Sequence, residues 1–366
     1  MNFVKSTQRF EEWLGRQVEL QPDEIAYKHQ QLAADDPFPF FRGTYYRWMQ
    51  VWPEACPKLQ NGPSVLSIGD LHIENFGTWR DADARLVWGI NDFDEADELP
   101  CANDLVRLAS SVWFAIHNGL LKIAFPKACR VILDGYLAQL TGSAAPFVLE
   151  ERHHELRRLA LHEKRNPVGF WEKLDVIRQT PAVETPDVVA TLQRALPDGA
   201  ILEAVRRRTH VGMGSLGKPR YVAIASYHGG AVARESKSLC SPSTRWFEDS
   251  PPIASRINEI LSKVIRSPDS LYRTDKNWIV RRLAPHCSRI ELAHLTKSRD
   301  LQRVLASMGA ETANIHLGTP GAAATLSSYF QSLPKNWLEQ NAKKVSKVLI
   351  KDWKIWREHQ SKKADA

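Results

Sequence analysis

Acidic and amide side chains follow two short apolar segments of the chain. Asp70 and, five positions later, Asn75 come after the apolar run 64–68 in the sequence GDLHIEN, and Asp92 comes after the run 86–90 in NDFDEA. Carboxylate and amide oxygens are the ligands that Mg²⁺ prefers, so Asn75 and Asp92 are candidate metal ligands. Asp70 is a candidate for the carboxylate that accepts the proton of an attacking hydroxyl. Phosphoryl transfer requires residues of these types.

A glycine-rich segment, GMGSLG at 212–217, lies much later in the chain. Its candidate phosphate-contacting residues are Gly212, Gly214, Ser215 and Gly217. Glycines let a backbone approach phosphates closely, and a basic side chain on the following strand would hold them. Lys237 and Arg234 are the two candidates, and Glu259 on a later predicted helix is a candidate partner of the lysine. Alone, this motif would indicate only a hairpin turn.

The apolar patterns predict an α+β protein. Residues 1–60 are predicted to be mainly helical, and short buried strands at 64–68 and 86–90 lead into the two acidic segments. The polar residues 80–85 are typical of the turn between them. Helical spacing dominates from 103 to about 195.

Short alternating runs with glycines between them follow, at 205–211, 220–227 and 231–238, and predict an antiparallel meander. A helix at 253–264, a strand at 277–283 and helices from about 296 to 362, with a break at 318–321, complete the chain. We therefore divide it into a helical lobe with the catalytic and metal loops (1–195), a small β-rich nucleotide-binding lobe (196–290) and helices that return to the large lobe (291–366).

The composition excludes several classes of protein. With 43% hydrophobic and 25% charged residues, the chain of 366 residues is typical of a globular protein. No apolar stretch predicts export or a membrane span, and the five scattered cysteines indicate reduced thiols and a cytoplasmic location. The net charge of +7 favours a solvated basic face on the C-terminal helix over nucleic-acid binding.

The two acidic segments carry a resemblance to a known superfamily. GDLHIEN followed by NDFDEA resembles the GDxxxxN catalytic loop and the metal loop of aminoglycoside and choline kinases, distant relatives of protein kinases. The resemblance implies ATP and Mg²⁺ as nucleotide and cofactor, Asp70 as catalytic base, and Asn75 and Asp92 as metal ligands. It also implies that Asp104 braces the catalytic loop. Ile68 stands where those enzymes have a histidine.

The order of the motifs differs from the order in kinases, where the glycine loop precedes the catalytic loop. Here the glycine loop, the strand with Lys237, the helix with Glu259, the strand 277–283 and a long helix follow it, but in kinase order. We therefore predict a kinase-like, two-lobed fold that is circularly permuted, which is feasible because chain termini often lie close together. A large distance between residues 212–217 and Asp92 would contradict this hypothesis.

A second resemblance extends along nearly the whole chain. The blocks RGTYYRW, GDLHIENFG, INDFDEA, DLVRLASS, GSLGKPRYVAI and WIVRRL resemble, in this order, the bacterial family catalogued as domain of unknown function 2252. That family implies no substrate. Its members usually have a lysine followed by glutamate where this chain has Arg234 and Glu235, so both Arg234 and Lys237 stay open as phosphate contacts.

The leading interpretation is an ATP- and Mg²⁺-dependent phosphotransferase that acts on an unknown small-molecule or protein acceptor. Two alternatives stay open. Asp70-Leu71-His72 could begin a two-metal phosphoesterase site, with Asp92 bridging the metals. The chain could also be a non-catalytic, nucleotide-binding relative of kinases.

Overall fold

Helices form both ends of the chain, and a five-stranded sheet lies between them in the computed structural model. The structure describes residues 2–161, 166–253, 255–295 and 297–364. The predicted helical stretches include positions 162–165, 254 and 296, which lie outside the described residues. The α+β class predicted from the sequence is confirmed. Among the described residues, no helix combines the length and apolar character needed to cross a bilayer.

The helices of the described residues are α1 (Phe3–Gly15), α2 (Pro22–Leu32), α3 (Pro37–Gly43), α4 (Tyr45–Ala55), α5 (Ala102–His117), α6 (Phe125–Thr141), α7 (His154–Ala160), α8 (Pro167–Arg178), α9 (Pro186–Arg194), α10 (Ser243–Phe247), α11 (Ile257–Lys263), α12 (Ser298–His316), α13 (Ala322–Ser332) and α14 (Trp337–Ala364). The strands are β1 (Ser64–Ser67), β2 (Phe76–Arg80), β3 (Leu86–Ile90), β4 (Asp97–Pro100), β5 (Phe147–Val148), β6 (Ile201–Arg207), β7 (Arg220–Tyr227), β8 (Gly230–Ser238), β9 (Arg273–Asp275) and β10 (Trp278–Leu283).

The strands form three antiparallel sheets. The largest has the order β6-β7-β8-β10-β9, and the glycine-rich segment connects its first two strands. Lys237 of β8 lies opposite Arg220 of β7 and Ile279 of β10. The other sheets are β1-β4 and β2-β3-β5, and the two acidic segments leave β1 and β3. The predicted meander is therefore present, with β9 added beyond β10.

The backbones of two long helices, α6 and α12, lie in close contact where the helices cross. A Cβ on Gly309 would lie 2.0 Å from the carbonyl oxygen of Ile132, and one on Gly135 would lie 2.1 Å from that of Ala306. Neither position has room for a side chain. This close crossing places the C-terminal half of α12, including Glu311 and His316, beneath the acidic segments.

The five-stranded sheet has two small apolar clusters of its own. Leu174 of α8 packs on Val222, Ile224 and Ala233, while Val188 and Leu192 of α9 pack on Val205 and Ala223. Most other buried apolar residues belong to one large core formed by the helices and the two smaller sheets. The sheet therefore has a helix on each face, and the acidic segments belong to the main core.

Candidate functional site

The loop that carries Asp70 is held in place by a buried carboxylate on α5. Asp104 accepts hydrogen bonds from the backbone N–H groups of Ile68 (2.7 Å) and Gly69 (3.0 Å). His316 of α12 lies 3.3 Å from the same carboxylate through Nε2, and its Nδ1 lies 2.7 Å from the Tyr136 hydroxyl. Asp104 therefore braces the loop, the role that the kinase resemblance implies.

Asp70 is paired with a buried arginine. Nε and Nη2 of Arg107 donate to Oδ1 of Asp70 at 3.0 and 2.6 Å, and Nη2 also donates to the carbonyl of Phe41 at 2.8 Å. Burial raises the pKa of Asp70 above its usual range, although Arg107 and Arg42 act in the opposite direction. A carboxylate with a raised pKa is better matched to accepting a proton near neutral pH.

Asn75 connects the two acidic segments. Its side-chain Nδ2 donates to the backbone carbonyl oxygen of Asp70 at 2.6 Å, and its backbone carbonyl oxygen accepts from the backbone N–H of Asn91 at 3.0 Å. Because its amide nitrogen is used in this way, its Oδ1 is the atom available to a cation. Asn75 and Asp92 both line the same cavity.

Two aspartates share one lysine at the other acidic segment. Nζ of Lys237 lies 2.9 Å from Oδ1 of Asp92 and 2.6 Å from Oδ1 of Asp94. Removal from water alone would raise the pKa of Asp92, but Lys237 and a hydrogen bond with Asp94 hold it below its usual range. The pKa of Asp94 is raised by burial and by Asp92. Of the two, Asp92 is therefore the one whose charged form Lys237 stabilises more.

The glycine-rich segment reaches the same cavity from the large sheet. Gly212, Gly214 and Ser215 line it together with Asp70 and Asp92. A Cβ on Gly214 would lie 3.5 Å from Oδ2 of Asp70. The structure therefore brings together the motifs that the permutation hypothesis requires to be close.

An arginine cluster around Glu235 supports the glycine-rich segment. The wholly buried Glu235 pairs with Arg208, with Arg220 at 2.9 Å and with Arg281 at 2.5 Å. Although burial opposes it, the three arginines hold the pKa of Glu235 well below its usual range. Arg220 also donates to Oγ of Ser215. Three arginines on one carboxylate leave an excess of positive charge beside the segment.

Four predicted residues do not line this cavity: Arg234, Lys237, Gly217 and Glu259. Arg234 projects from the opposite face of β8 to Lys237, and its Nε donates to the carbonyl of Ala195 at 2.8 Å; of the two candidates, Lys237 is therefore the one beside the acidic segments. Gly217 (φ +95°) packs against α2, where a Cβ would lie 2.3 Å from Ile25. Glu259 does not contact Lys237, because its carboxylate pairs with Arg256 and Lys263 on its own turns of helix.

Arg42, Lys218 and Arg107 belong to the site, although the sequence assigned them no role. Arg42 pairs with Glu74 and lines the cavity. Lys218, the residue directly after the glycine-rich segment, also lines the cavity. The signals that could have identified two of them were a basic residue next to GSLG, and Arg107 as a single charge in an otherwise apolar stretch of α5. Nothing in the local sequence identifies Glu74 as a partner of Arg42.

The side chains around Asp92 fit a magnesium ion that is also bound by the phosphates of a nucleotide. A magnesium ion that shares the phosphates of a nucleotide needs only one or two protein ligands, and Oδ1 of Asn75 with the 41% exposed carboxylate of Asp92 could provide them. Among the described residues, no three His, Cys, Asp or Glu side chains are placed to hold a metal ion together. Nδ1 of His72 accepts from the backbone N–H of Glu74 at 3.2 Å. The phosphoesterase alternative therefore gains no support here.

The cavity at these residues is small, about 60 Å³. A larger one of about 740 Å³ lies beside the end of β10 and the start of α12. Its basic lining residues are Arg158, Lys173, Arg289 and Lys297. None of the predicted site residues lines the larger cavity. Arg289 pairs with Glu74, which in turn pairs with Arg42, so this ionic chain runs between the two cavities.

Comparison with known proteins supports a family over part of the chain and gives no activity. Residues 20–167 match the model of a family described as an uncharacterized protein conserved in bacteria (DUF2252). The match supports the bacterial family indicated by the sequence blocks over less than half of the chain, including Asp70, Asn75 and Asp92. The blocks GSLGKPRYVAI and WIVRRL lie outside it. No curated protein and no solved structure matched the chain.

Proposed function

We propose that the protein is an ATP- and Mg²⁺-dependent phosphotransferase with a kinase-like, circularly permuted fold. The observation that carries the proposal is the meeting of three separate motifs in one cavity, where Gly214 faces Oδ2 of Asp70 and Asp92 lies alongside. A loop that covers phosphates has to approach the carboxylate in this way, because the transferred group must reach the base.

In this proposal Asp70 receives the acceptor's proton. Arg107 occupies Oδ1 and fixes the carboxylate, so Oδ2 is the atom that takes the proton. The hydroxyl oxygen then forms its bond to the γ-phosphorus, the bond from that phosphorus to the bridging oxygen breaks, and ADP leaves with the electron pair. Most of the catalysis in such reactions comes from positioning and electrostatics.

Charge around the phosphates is balanced by groups from both parts of the site. Asn75 and Asp92 would hold magnesium, which when bound neutralises phosphate charge. Lys237 contacts both Asp92 and Asp94. On nucleotide binding it would give up one of these carboxylate contacts and contact a phosphate oxygen instead. The excess positive charge at Arg208, Arg220 and Arg281 favours anions at the glycine-rich segment. Because the cavity holds about 60 Å³, binding of a triphosphate requires this segment to lift.

Calorimetry and turnover measurements test the proposal. We expect the wild type to bind ATP only with Mg²⁺, and Asp92→Asn to lose about tenfold or more in affinity because one metal ligand is weakened. Asp70→Asn should keep binding but lose about 100-fold or more in ADP formation. Asp134→Asn, an exposed carboxylate on α6, is the matched control and should behave as the wild type.

Three results would contradict the proposal in different ways. Magnesium-independent binding would remove Asn75 and Asp92 from the metal role. Binding without turnover of any acceptor, and without an effect of Asp70→Asn, would indicate a non-catalytic nucleotide-binding protein. Hydrolysis of phosphate esters with manganese, in the absence of ATP binding, would indicate the phosphoesterase.

A further inference from the structure

Lys28 on α2 is a buried lysine without an ionic partner. Its side chain is 3% exposed, and among the described residues its Nζ makes no hydrogen bond or ion pair. It lies 5.9 Å above the ring of Tyr46. Its acidic neighbour Glu11 is paired with His29 at 2.8 Å. An ionised amine is costly to bury without a counter-ion, so such a lysine indicates a group that is not part of the chain.

Lys28 lines the cavity that contains Asp70. Four helices contribute side chains to the lining of this cavity: Phe10 of α1, Lys28 of α2, Tyr45 and Tyr46 of α4, and Ser243 of α10. The hydroxyl of Tyr45 is buried and has no hydrogen-bond partner. The same cavity therefore contains an unpaired lysine, Asp70 with a free carboxylate oxygen, and the Tyr45 hydroxyl, which lies beside Gly69.

The charged side chains that act on Lys28 are two acids, Glu11 and Glu95, and one further lysine, Lys218. Lys218 lies on the same cavity, and its Nζ is 3.9 Å from Oδ2 of Asp94. Glu95 is the one acidic side chain of this cavity that acts on Lys28, and its carboxylate already accepts a hydrogen bond from the backbone N–H of Ser243 at 2.6 Å. Both acids are engaged elsewhere, Glu11 with His29 and Glu95 with the backbone N–H of Ser243, and neither forms an ion pair with Lys28.

We propose that the part of the cavity lined by Lys28 binds an anionic group, a carboxylate or a phosphate, of the phosphate acceptor, with Lys28 as its counter-ion. The acceptor is then a small acid with a hydroxyl group that reaches Asp70. That the bound anion belongs to a phosphate acceptor rests on the proposed phosphotransferase function. The anion site itself does not depend on that function.

Three probes of the same carbon skeleton test the inference by calorimetry without nucleotide: glycerol, glycerate and glycerol 3-phosphate. We expect one or both anions to bind and glycerol not to bind. The anion that binds shows whether the site takes a carboxylate or a phosphate. Lys28→Met should weaken anion binding about tenfold to 100-fold, the usual effect of losing one charged hydrogen bond. Lys28→Arg should retain part of the affinity, and Lys122→Met, at an exposed lysine, should retain all of it.

Thermal unfolding separates a binding role from a structural one. Because Lys28→Met replaces an unpaired buried charge by an apolar side chain of similar length, the melting temperature should rise or stay unchanged. A lower melting temperature together with wild-type anion binding would overturn the inference. So would equal binding of glycerol and the anions, or no binding of either anion at millimolar concentration.

The two proposals can fail separately. If Lys28-dependent anion binding is present but Mg²⁺-dependent ATP binding is absent, the phosphotransferase function is wrong and the anion site stands. If ATP turnover depends on Asp70 but neutral acceptors serve as well as acidic ones, the anion site is wrong and the function stands.

Discussion

Nζ of Lys237 lies 2.9 Å from Oδ1 of Asp92, although 145 positions of the chain separate the two residues. This contact joins the large sheet to the acidic segment that follows β3. Lys237 is 3% exposed on its side chain and also contacts Asp94. The site is therefore assembled from two distant parts of the sequence, and each part can be tested by substitution.

Lys237→Met should reduce both nucleotide affinity and stability. Loss of the shared cation leaves Asp92 and Asp94 facing each other, so we expect the free energy of unfolding to fall by about 1–2 kcal/mol, the half-exposed Asp92 limiting the effect. Affinity for ATP with Mg²⁺ should fall about tenfold or more. Urea unfolding and calorimetry measure the two effects. Lys276→Met, at an exposed lysine of the same sheet, is the control, and unchanged ATP affinity in Lys237→Met would contradict the phosphate role.

The Asp70–Arg107 pair should behave as one unit in a double-mutant cycle. Arg107→Met leaves a buried carboxylate without its counter-ion, so we expect a loss of about 3–5 kcal/mol in the free energy of unfolding. The variant with both Asp70→Asn and Arg107→Met should lose less than the sum of the two single variants, by about 1–3 kcal/mol. Denaturant unfolding of all four proteins gives this coupling. Additive losses would mean that Arg107 acts mainly through Phe41.

Gly214→Ala should damage function more than folding. The added Cβ meets Oδ2 of Asp70 and the carbonyl of Arg42 at 3.5 Å, which is ordinary contact, so the free energy of unfolding should change by less than about 1 kcal/mol. The methyl group nevertheless occupies the space between the loop and Asp70, and ADP formation should fall about tenfold or more. Gly230→Ala at the start of β8, where a Cβ meets little, is the matched control. Equal activity of both variants would contradict a role of Gly214 beside the phosphates.

Stability should decline with rising pH through Glu311. Burial raises the pKa of this α12 carboxyl to about 7, from an ordinary value of 4.5. Between these two values the unfolded chain has lost the proton while the folded protein keeps it, so the free energy of unfolding falls as the pH rises and levels off above about 7. Glu311→Gln removes this decline.

The Gln variant should gain about 3 kcal/mol over the wild type at pH 8, relative to their difference at pH 4. Urea unfolding at both pH values measures this change. A difference that is independent of pH would mean that Glu311 is ionised in the folded protein across this range.

Particular elements show what the sequence could predict. The bounds of β3 and β7 follow directly from mainly apolar runs. By contrast, β4 (DELP) and β9 (RTD) contain residues that disfavour strands, and they form only through pairing, β4 with β1 earlier in the chain and β9 with the adjacent β10. The helix predicted at 253–264 begins only at Ile257. Periodicity identifies elements where the local pattern dominates, and it fails where tertiary pairing decides.

The same distinction applies to the site. Asp70, Asn75 and Asp92 were predicted because each follows a strand in a chemically informative segment. The expected Glu259–Lys237 pair does not form, because Arg256 and Lys263 lie within one turn of Glu259 and pair with it first. Lys28 carries no local signal, since its significance depends on the cavity that it faces.

The support of Asp104 by His316, and of His316 by Tyr136, has a consequence for motion. Asp70's loop is tied through buried hydrogen bonds to three helices of the main core, whereas the glycine-rich segment belongs to a sheet with separate, smaller apolar clusters. For the proposed triphosphate, the free-energy cost of opening the site should therefore be lower on the side of the sheet. We expect the loop of Asp70 to stay in place on ligand binding while the sheet moves. Hydrogen exchange in β6 and β7 should then respond to nucleotide, and α5 should stay protected.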